Sequence, residues 1–187
     1  YDGQDDGTHA AHFRVRNDSA PLGSWGSAQL AFSEGIYHGA ALSAVADGKG
    51  GMHLVYKDKN QELWYRYFNG TSFGARQLIE DVGDWELQPA VTRIGDDLAI
   101  FYNRVLSTNV DDEVRVRTLH AGALSAPTVL DSSVSFKGYP AAVDVLPASV
   151  TDVHCFFGIT PDADSGGQAT LYTIGWTPSS PPPPADL

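Results

Sequence analysis

The sequence predicts an all-β fold of repeated four-stranded antiparallel sheets, and three observations predict it. The first is a short pattern that recurs in Trp25-Gly-Ser-Ala-Gln-Leu30, Phe73-Gly-Ala-Arg-Gln-Leu78 and Leu124-Ser-Ala-Pro-Thr-Val129; the first residues stand 48 and 51 positions apart (73 − 25 and 124 − 73). A fixed period in this range marks a repeat architecture. The second is a set of tight-turn signals between short apolar runs, Asn69-Gly70 being the strongest. The third is register inside the runs: Tyr56 and Tyr102 are 46 apart, while Leu63, Val114 and Leu171 follow at 51 and 57.

One complete unit lies between Ala40 and Asp81. Ala41 to Asp47 is a small-residue strand, a, ended by Asp-Gly, and Met52 to Asp58 is strand b, ended by Lys-Asp-Lys-Asn. Strand c, Leu63 to Phe68, is strongly aromatic, and Phe73 to Glu80 supplies strand d. The next unit repeats the order at Pro89 to Ile94, Leu98 to Arg104, Val114 to Leu119 and Leu124 to Asp131. A third gives a at Pro140 to Leu146, b at Val153 to Ile159 and c at Thr170 to Trp176; ahead of the complete units stand a c-like strand, His12 to Arg16, and a d-like strand, Trp25 to Phe32.

Thirteen strands grouped as two, four, four and three fit the blades of a β-propeller, each about 40 to 50 residues long. The divisions are 1–35 for a partial blade of two outer strands, 36–81 and 82–131 for blades, 132–177 for a blade lacking its last strand, and 178–187 for a Pro-rich linker. Four consecutive prolines cannot enter a sheet ladder and favour an extended segment. A β-sandwich is the alternative fold, since evenly spaced short strands suit it as well. A propeller needs roughly 4 to 8 blades, so the expected partner is a second copy or a complementary propeller fragment.

Composition fits a secreted or surface-exposed β-protein: 187 residues with 42% hydrophobic content can bury a core. The chain begins at Tyr1 and carries no secretory leader pattern, as expected of a processed product. One cysteine, Cys155, excludes an internal disulfide. Twelve basic against 23 acidic residues cannot neutralise a phosphate backbone, which argues against nucleic acid and anionic membranes. No apolar run approaches the length of a transmembrane helix.

The run Gly50 to Phe73, Gly-Gly-Met-His-Leu-Val-Tyr-Lys-Asp-Lys-Asn-Gln-Glu-Leu-Trp-Tyr-Arg-Tyr-Phe-Asn-Gly-Thr-Ser-Phe, resembles the BNR-type repeats of sialidase-like propellers. It is also similar to the blades of bacterial and fungal propeller lectins. The resemblance is close over one blade and loose over the next two, from Ala40 to Trp176. The strict Asp-box, Ser-x-Asp-x-Gly-x-x-Trp, is absent, and Asn69-Gly-Thr-Ser-Phe73 has Phe at the aromatic position, so the motifs identify a blade better than an activity.

In a propeller the loops entering strand a gather at one face. Here they carry Tyr37-His38, Trp85-Glu86 and Tyr139. Rings beside polar heads suit sugars, whose C–H faces stack while their hydroxyls hydrogen-bond; the competing reading wedges the rings between blades. Alternation puts Leu63, Tyr65 and Tyr67 on one strand face and Trp64, Arg66 and Phe68 on the other, where packing is the default. Arg14, Arg16, Arg66, Arg115 and Arg117 all fall on c strands and read as ion-pair formers. Asp162 and Asp164 have the spacing of a calcium loop without its later Glu, so calcium is the one cofactor to consider. No nucleophile elbow or zinc pattern occurs.

Three functions follow. A carbohydrate-binding, lectin-like or adhesion module leads, with no catalytic residue assigned. A sialidase-like glycosidase or propeller polysaccharide lyase is the alternative, with Tyr37, His38, His53, Trp85 and Glu86 as its suspects. A structural or protein-binding propeller fragment is the third.

Overall fold

A computed structural model describes residues 9–16, 19, 21–36, 42–81, 89–106, 111–132, 136–145, 153–160 and 170–177; for 9, 105–106, 111–112, 136–145, 153–160 and 170–175 it describes the backbone alone. Every regular element among them is a β-strand: β1 His9–Phe13, β2 Gln29–Ile36, β3 Leu42–Ala46, β4 Met52–Lys57, β5 Leu63–Phe68, β6 Gln77–Glu80, β7 Pro89–Ile94, β8 Asp97–Leu106, β9 Asp111–His120, β10 Ala123–Leu124, β11 Thr128–Asp131, β12 Phe136–Val145, β13 Val153–Thr160 and β14 Thr170–Trp176. Among the described residues no helix is long and apolar enough to cross a membrane.

The strands form four antiparallel sheets, β1-β2, β3-β4-β5-β6, β7-β8-β9 with β10 and β11 both on β9, and β12-β13-β14. None of them is closed. Within each sheet the strands pair in chain order, apart from β10 and β11, which both pair with β9, so the connectivity is that of a meander. The fourth strand of the third sheet, expected as one run from Leu124 to Asp131, is two pieces. Pro127 lies in the gap and has no N–H to give the ladder. There the Ser125 hydroxyl accepts from the Thr118 N–H at 2.9 Å, and the Arg117 Nε donates to the Ser125 carbonyl at 2.8 Å. β6 likewise starts later than expected, at Gln77, with Phe73 held by a single bridge to Phe68 and the Gly74 carbonyl taken by Arg66.

Each inner sheet buries both faces, and alternation assigns the residues. On β8, Leu98, Ile100 and Tyr102 join Val55, Leu63, Ile79 and Val91 in a core between the second and third sheets. Ala99 and Phe101 point the other way, with Val114 and Val116, toward Trp176 of the last sheet. Leu54 and Tyr56 of β4 meet Ala11 and Phe32 of the first sheet. The sheets therefore stack in chain order. β7, the first strand of its sheet, lies beside β3 and β12, the first strands of the sheets on either side. The Val91 N–H donates to the Ser43 hydroxyl at 3.1 Å, tying β7 to β3.

The same polar clasp crosses two of these interfaces. The Tyr56 hydroxyl donates to Glu34 of β2 at 3.0 Å and Arg66 ion-pairs with the same carboxylate; the Tyr102 hydroxyl donates to Glu80 of β6 at 2.7 Å, with Arg115 and Arg117 at 3.7 and 3.9 Å. Burial works against the charge of Glu34, but hydrogen bonds led by Arg66 outweigh it and hold the carboxyl below its ordinary range. Burial pushes the Tyr56 phenol up to about 12. Of the five c-strand arginines expected to form ion pairs, Arg66, Arg115 and Arg117 do so. They reach Glu34 or Glu80 on the preceding sheet rather than pairing across the strands of their own sheet, and Arg115 also pairs with Glu113 on its own strand.

Phe73, in the recurring sequence pattern, has its ring 5.6 and 5.7 Å from those of Phe13 and Phe32. Phe73→Ala should destabilise the protein by about 3 kcal/mol, as a partly relaxed core truncation. Tyr102→Phe should cost about 1 to 2 kcal/mol by leaving a Glu80 oxygen without its donor. Urea titration checks both; near-neutral values would remove these residues from the inter-sheet packing.

Candidate functional site

A pocket of about 440 Å³ opens between the second and third sheets, lined by Asp47, Lys49, His53, Tyr67, Arg93 and Asp96. Unequal turns create it. β3 and β4 are joined through five residues, Asp47 to Gly51, whereas β7 and β8 are joined by Gly95 and Asp96 alone. The longer turn overhangs the end of the neighbouring sheet.

Asp47 organises that turn. Its Oδ1 accepts from the backbone N–H of Lys49 at 2.6 Å and of Gly51 at 2.8 Å, and its Oδ2 accepts from the Tyr67 hydroxyl at 2.6 Å. The Tyr67 hydrogen bond is the chief reason its carboxyl is held down at about 2, with the two amides adding to it. Gly51 is required by close approach: a Cβ there would stand 2.4 Å from the Tyr67 oxygen and 2.5 Å from Asp47 Oδ2. Arg93 spans the two turns, Nη1 donating to the Asp47 carbonyl at 2.5 Å and Nη2 to the Gly95 carbonyl at 3.0 Å. Among the described residues it is carbonyls, and no carboxylate, that hold this guanidinium, so its charge faces the pocket wall.

Alternation delivers the rings. Val45, His53 and Tyr67 are cross-strand partners on β3, β4 and β5, on the face that also carries Val55 and Tyr65. The His53 ring lies 5.1 Å from Tyr67 and 6.0 Å from Tyr65, and its Nδ1 shares a 2.9 Å hydrogen bond with the Tyr65 hydroxyl. Burial pushes the imidazole below its ordinary value, so His53 is neutral at pH 7. Burial also raises the Tyr65 phenol to about 12. The pocket therefore combines a neutral imidazole, a phenol ring, two cations and two carboxylates, a set that can stack on a C–H face and both donate and accept hydrogen bonds.

Of the residues expected to bind ligand, Tyr37, His38, Trp85 and Glu86 lie outside the described residues, as do Asp162 and Asp164. Tyr139 lies on β12, described in its backbone alone. β3 and β7 begin at Leu42 and Pro89, at the opposite end of their sheets from the pocket. Of the pocket residues, only His53 was suspected from the sequence, and Tyr67 was assigned to packing. The legible signal for the rest is Asp47 to Gly51, an Asp followed by three glycines in four residues, ahead of a strand beginning Met-His. Among the described residues no group of three or more His, Cys, Asp or Glu could hold a metal ion. Comparison with protein-family models, curated proteins and solved structures finds no match to this chain.

Two groups set the pH response. Asp47 has a folded value below its ordinary 3.8, so its stabilisation is complete above that pH and lost as pH falls through about 2. His53 is also depressed, from 6.5, so its neutral form favours the fold above pH 6.5 and stability declines as pH drops below that. Thermal melts of wild type and His53→Gln should diverge at pH 8 and converge as pH falls below 6.5. A constant difference would detach the imidazole from the fold's pH dependence. Gly51→Ala should break the Asp47–Tyr67 hydrogen bond, lowering Tm and removing the acid step.

Proposed function

We propose that this chain is a run of consecutive β-propeller blades from a secreted or surface protein, and that it binds carbohydrate in the pocket between its second and third sheets. The observation that carries the reading is the pocket's make-up: the rings of His53 and Tyr67 stand beside Asp47, Lys49, Arg93 and Asp96. A pyranose offers an apolar C–H face and vicinal hydroxyls that donate and accept, which is the complement of that lining. The propeller part rests on sheets that stack in chain order with β3, β7 and β12 side by side, and on sheets that bury both faces. The resemblance of Gly50 to Phe73 to blades of propeller lectins points the same way.

His53 supports a second reading, an enzyme acting on polysaccharide. An imidazole kept neutral by burial can accept a proton, and Tyr65, Tyr67 and Arg93 lie around it as donors. Turnover separates the two readings.

Wild type and His53→Ala should be titrated against a glycan panel while the same mixtures are assayed for new reducing or unsaturated ends. Binding without product, weakened about tenfold or more in His53→Ala, is the outcome expected of a lectin-like module. Product formation lost in His53→Ala would transfer the pocket to the enzyme reading. Equal affinities in both proteins would place sugar binding elsewhere.

A further inference from the structure

The hydrogen bonds around the pocket between the second and third sheets leave a definite pattern of donors and acceptors facing a ligand. His53 offers two ring nitrogens. Its Nδ1 is 2.9 Å from the Tyr65 hydroxyl. Its Nε2 bonds to none of the described residues, and it is not one of their buried polar atoms without a partner, which are Gln61 Oε1 and Arg104 Nε. Nε2 therefore opens into the pocket that His53 lines.

Two arrangements satisfy the 2.9 Å contact. Either the Tyr65 O–H donates to a bare Nδ1, which leaves the imidazole proton on Nε2, or an Nδ1–H donates to the phenol oxygen, which leaves Nε2 bare. Acid strength selects the first. A phenol, with an ordinary pKa of about 10, is a far stronger acid than a neutral imidazole N–H, and a bare imidazole nitrogen is a far better base than a phenol oxygen whose lone pair is shared with its ring. The second arrangement also strands a proton. Tyr65 packs against the core that contains Val55 and Leu63, and among the described residues its hydroxyl has no acceptor other than His53.

The neighbouring phenol has the opposite polarity. Tyr67 commits its O–H to Asp47 Oδ2 at 2.6 Å, so its oxygen has only lone pairs left for a ligand. Its ring is 5.1 Å from that of His53. One wall of the pocket thus presents a donor on Nε2 beside an acceptor on Tyr67.

We propose that Tyr65 is a positioning residue for this pocket: it holds His53 as the Nε2–H tautomer, so that the pocket receives an alcohol hydroxyl that accepts from His53 and donates to Tyr67. A hydroxyl bound in this way completes a head-to-tail chain from Tyr65 through His53, the ligand and Tyr67 to the Asp47 carboxylate, in which each hydrogen bond polarises the next. A proton already on Nε2 leaves no lone pair there to take another from the ligand, so the same tautomer favours binding over proton abstraction. The ligand half of this inference rests on the carbohydrate reading of the pocket; the tautomer does not.

Long-range proton–nitrogen correlation spectra of the full chain, labelled with 15N-histidine at pH 8, test the tautomer, with His53 assigned by the signals lost in His53→Gln. Wild type should show one neutral form, protonated on Nε2. Tyr65→Phe, which keeps the ring, should let both tautomers appear and draw the two nitrogen shifts toward each other. The methyl glycosides of glucose, galactose and mannose are then titrated into both proteins. Tyr65→Phe should bind the glycoside that wild type binds about threefold or more weakly, and should have no such effect in a His53→Gln background, because Tyr65 acts only through the imidazole. An Nδ1–H tautomer in wild type, nitrogen shifts that Tyr65→Phe leaves in place, or equal affinities in wild type and Tyr65→Phe would overturn the proposal. Failure of wild type to bind any of the three glycosides would instead sink the carbohydrate reading, with the nitrogen shifts still deciding the tautomer.

Discussion

A partly buried carboxylate between two sheets, held by a tyrosine hydroxyl and an arginine from the next sheet, is the constraint on which the rest of this structure depends. Glu34 with Tyr56 and Arg66, and Glu80 with Tyr102 and Arg117, are the same device used twice. Even partly burying a charge is favoured only when its hydrogen-bond and ion-pair partners are in place, so each clasp helps set the offset of one sheet on another. The clasp also explains why strand b carries a tyrosine at the same register position in both complete sheets, Tyr56 opposite Trp64 and Tyr102 opposite Arg115.

Once the offset is fixed, differences between turns become differences in surface. The pocket exists because a five-residue turn stands beside a two-residue one, with Arg93 bonded to a carbonyl of each. Asp47 turns the longer loop into a rigid wall, collecting two amides and a phenol on one carboxylate. Gly51 permits that approach because it has no Cβ. The same clasp that stabilises the stack thus prepares a polar concavity at its edge, with the His53 and Tyr67 rings held by strand alternation.

Strand positions were legible because period-2 alternation and turn residues are local properties. β5, β7 and β14 fall on the residues expected, and the face partition of Leu63, Tyr65 and Tyr67 against Trp64, Arg66 and Phe68 holds in the packing. The split of the fourth strand at Pro127 was readable in principle from the missing N–H, but a repeat that matches residue types overrode it. Pocket residues were harder. Asp47 and Arg93 are 46 positions apart and belong to different sheets, so no sequence window contains both.

What the sequence determined by itself is therefore the all-β class, the meander order and which residues share a strand face, since these follow from nearest-neighbour geometry along the chain. The partners of the c-strand arginines, the pairing of a long turn with a short one, and the exposure of Trp25 where Phe73 is partly buried were decided only by tertiary structure. Each depends on the offset between sheets. That offset is set by contacts between residues tens of positions apart, whose energies no local pattern encodes.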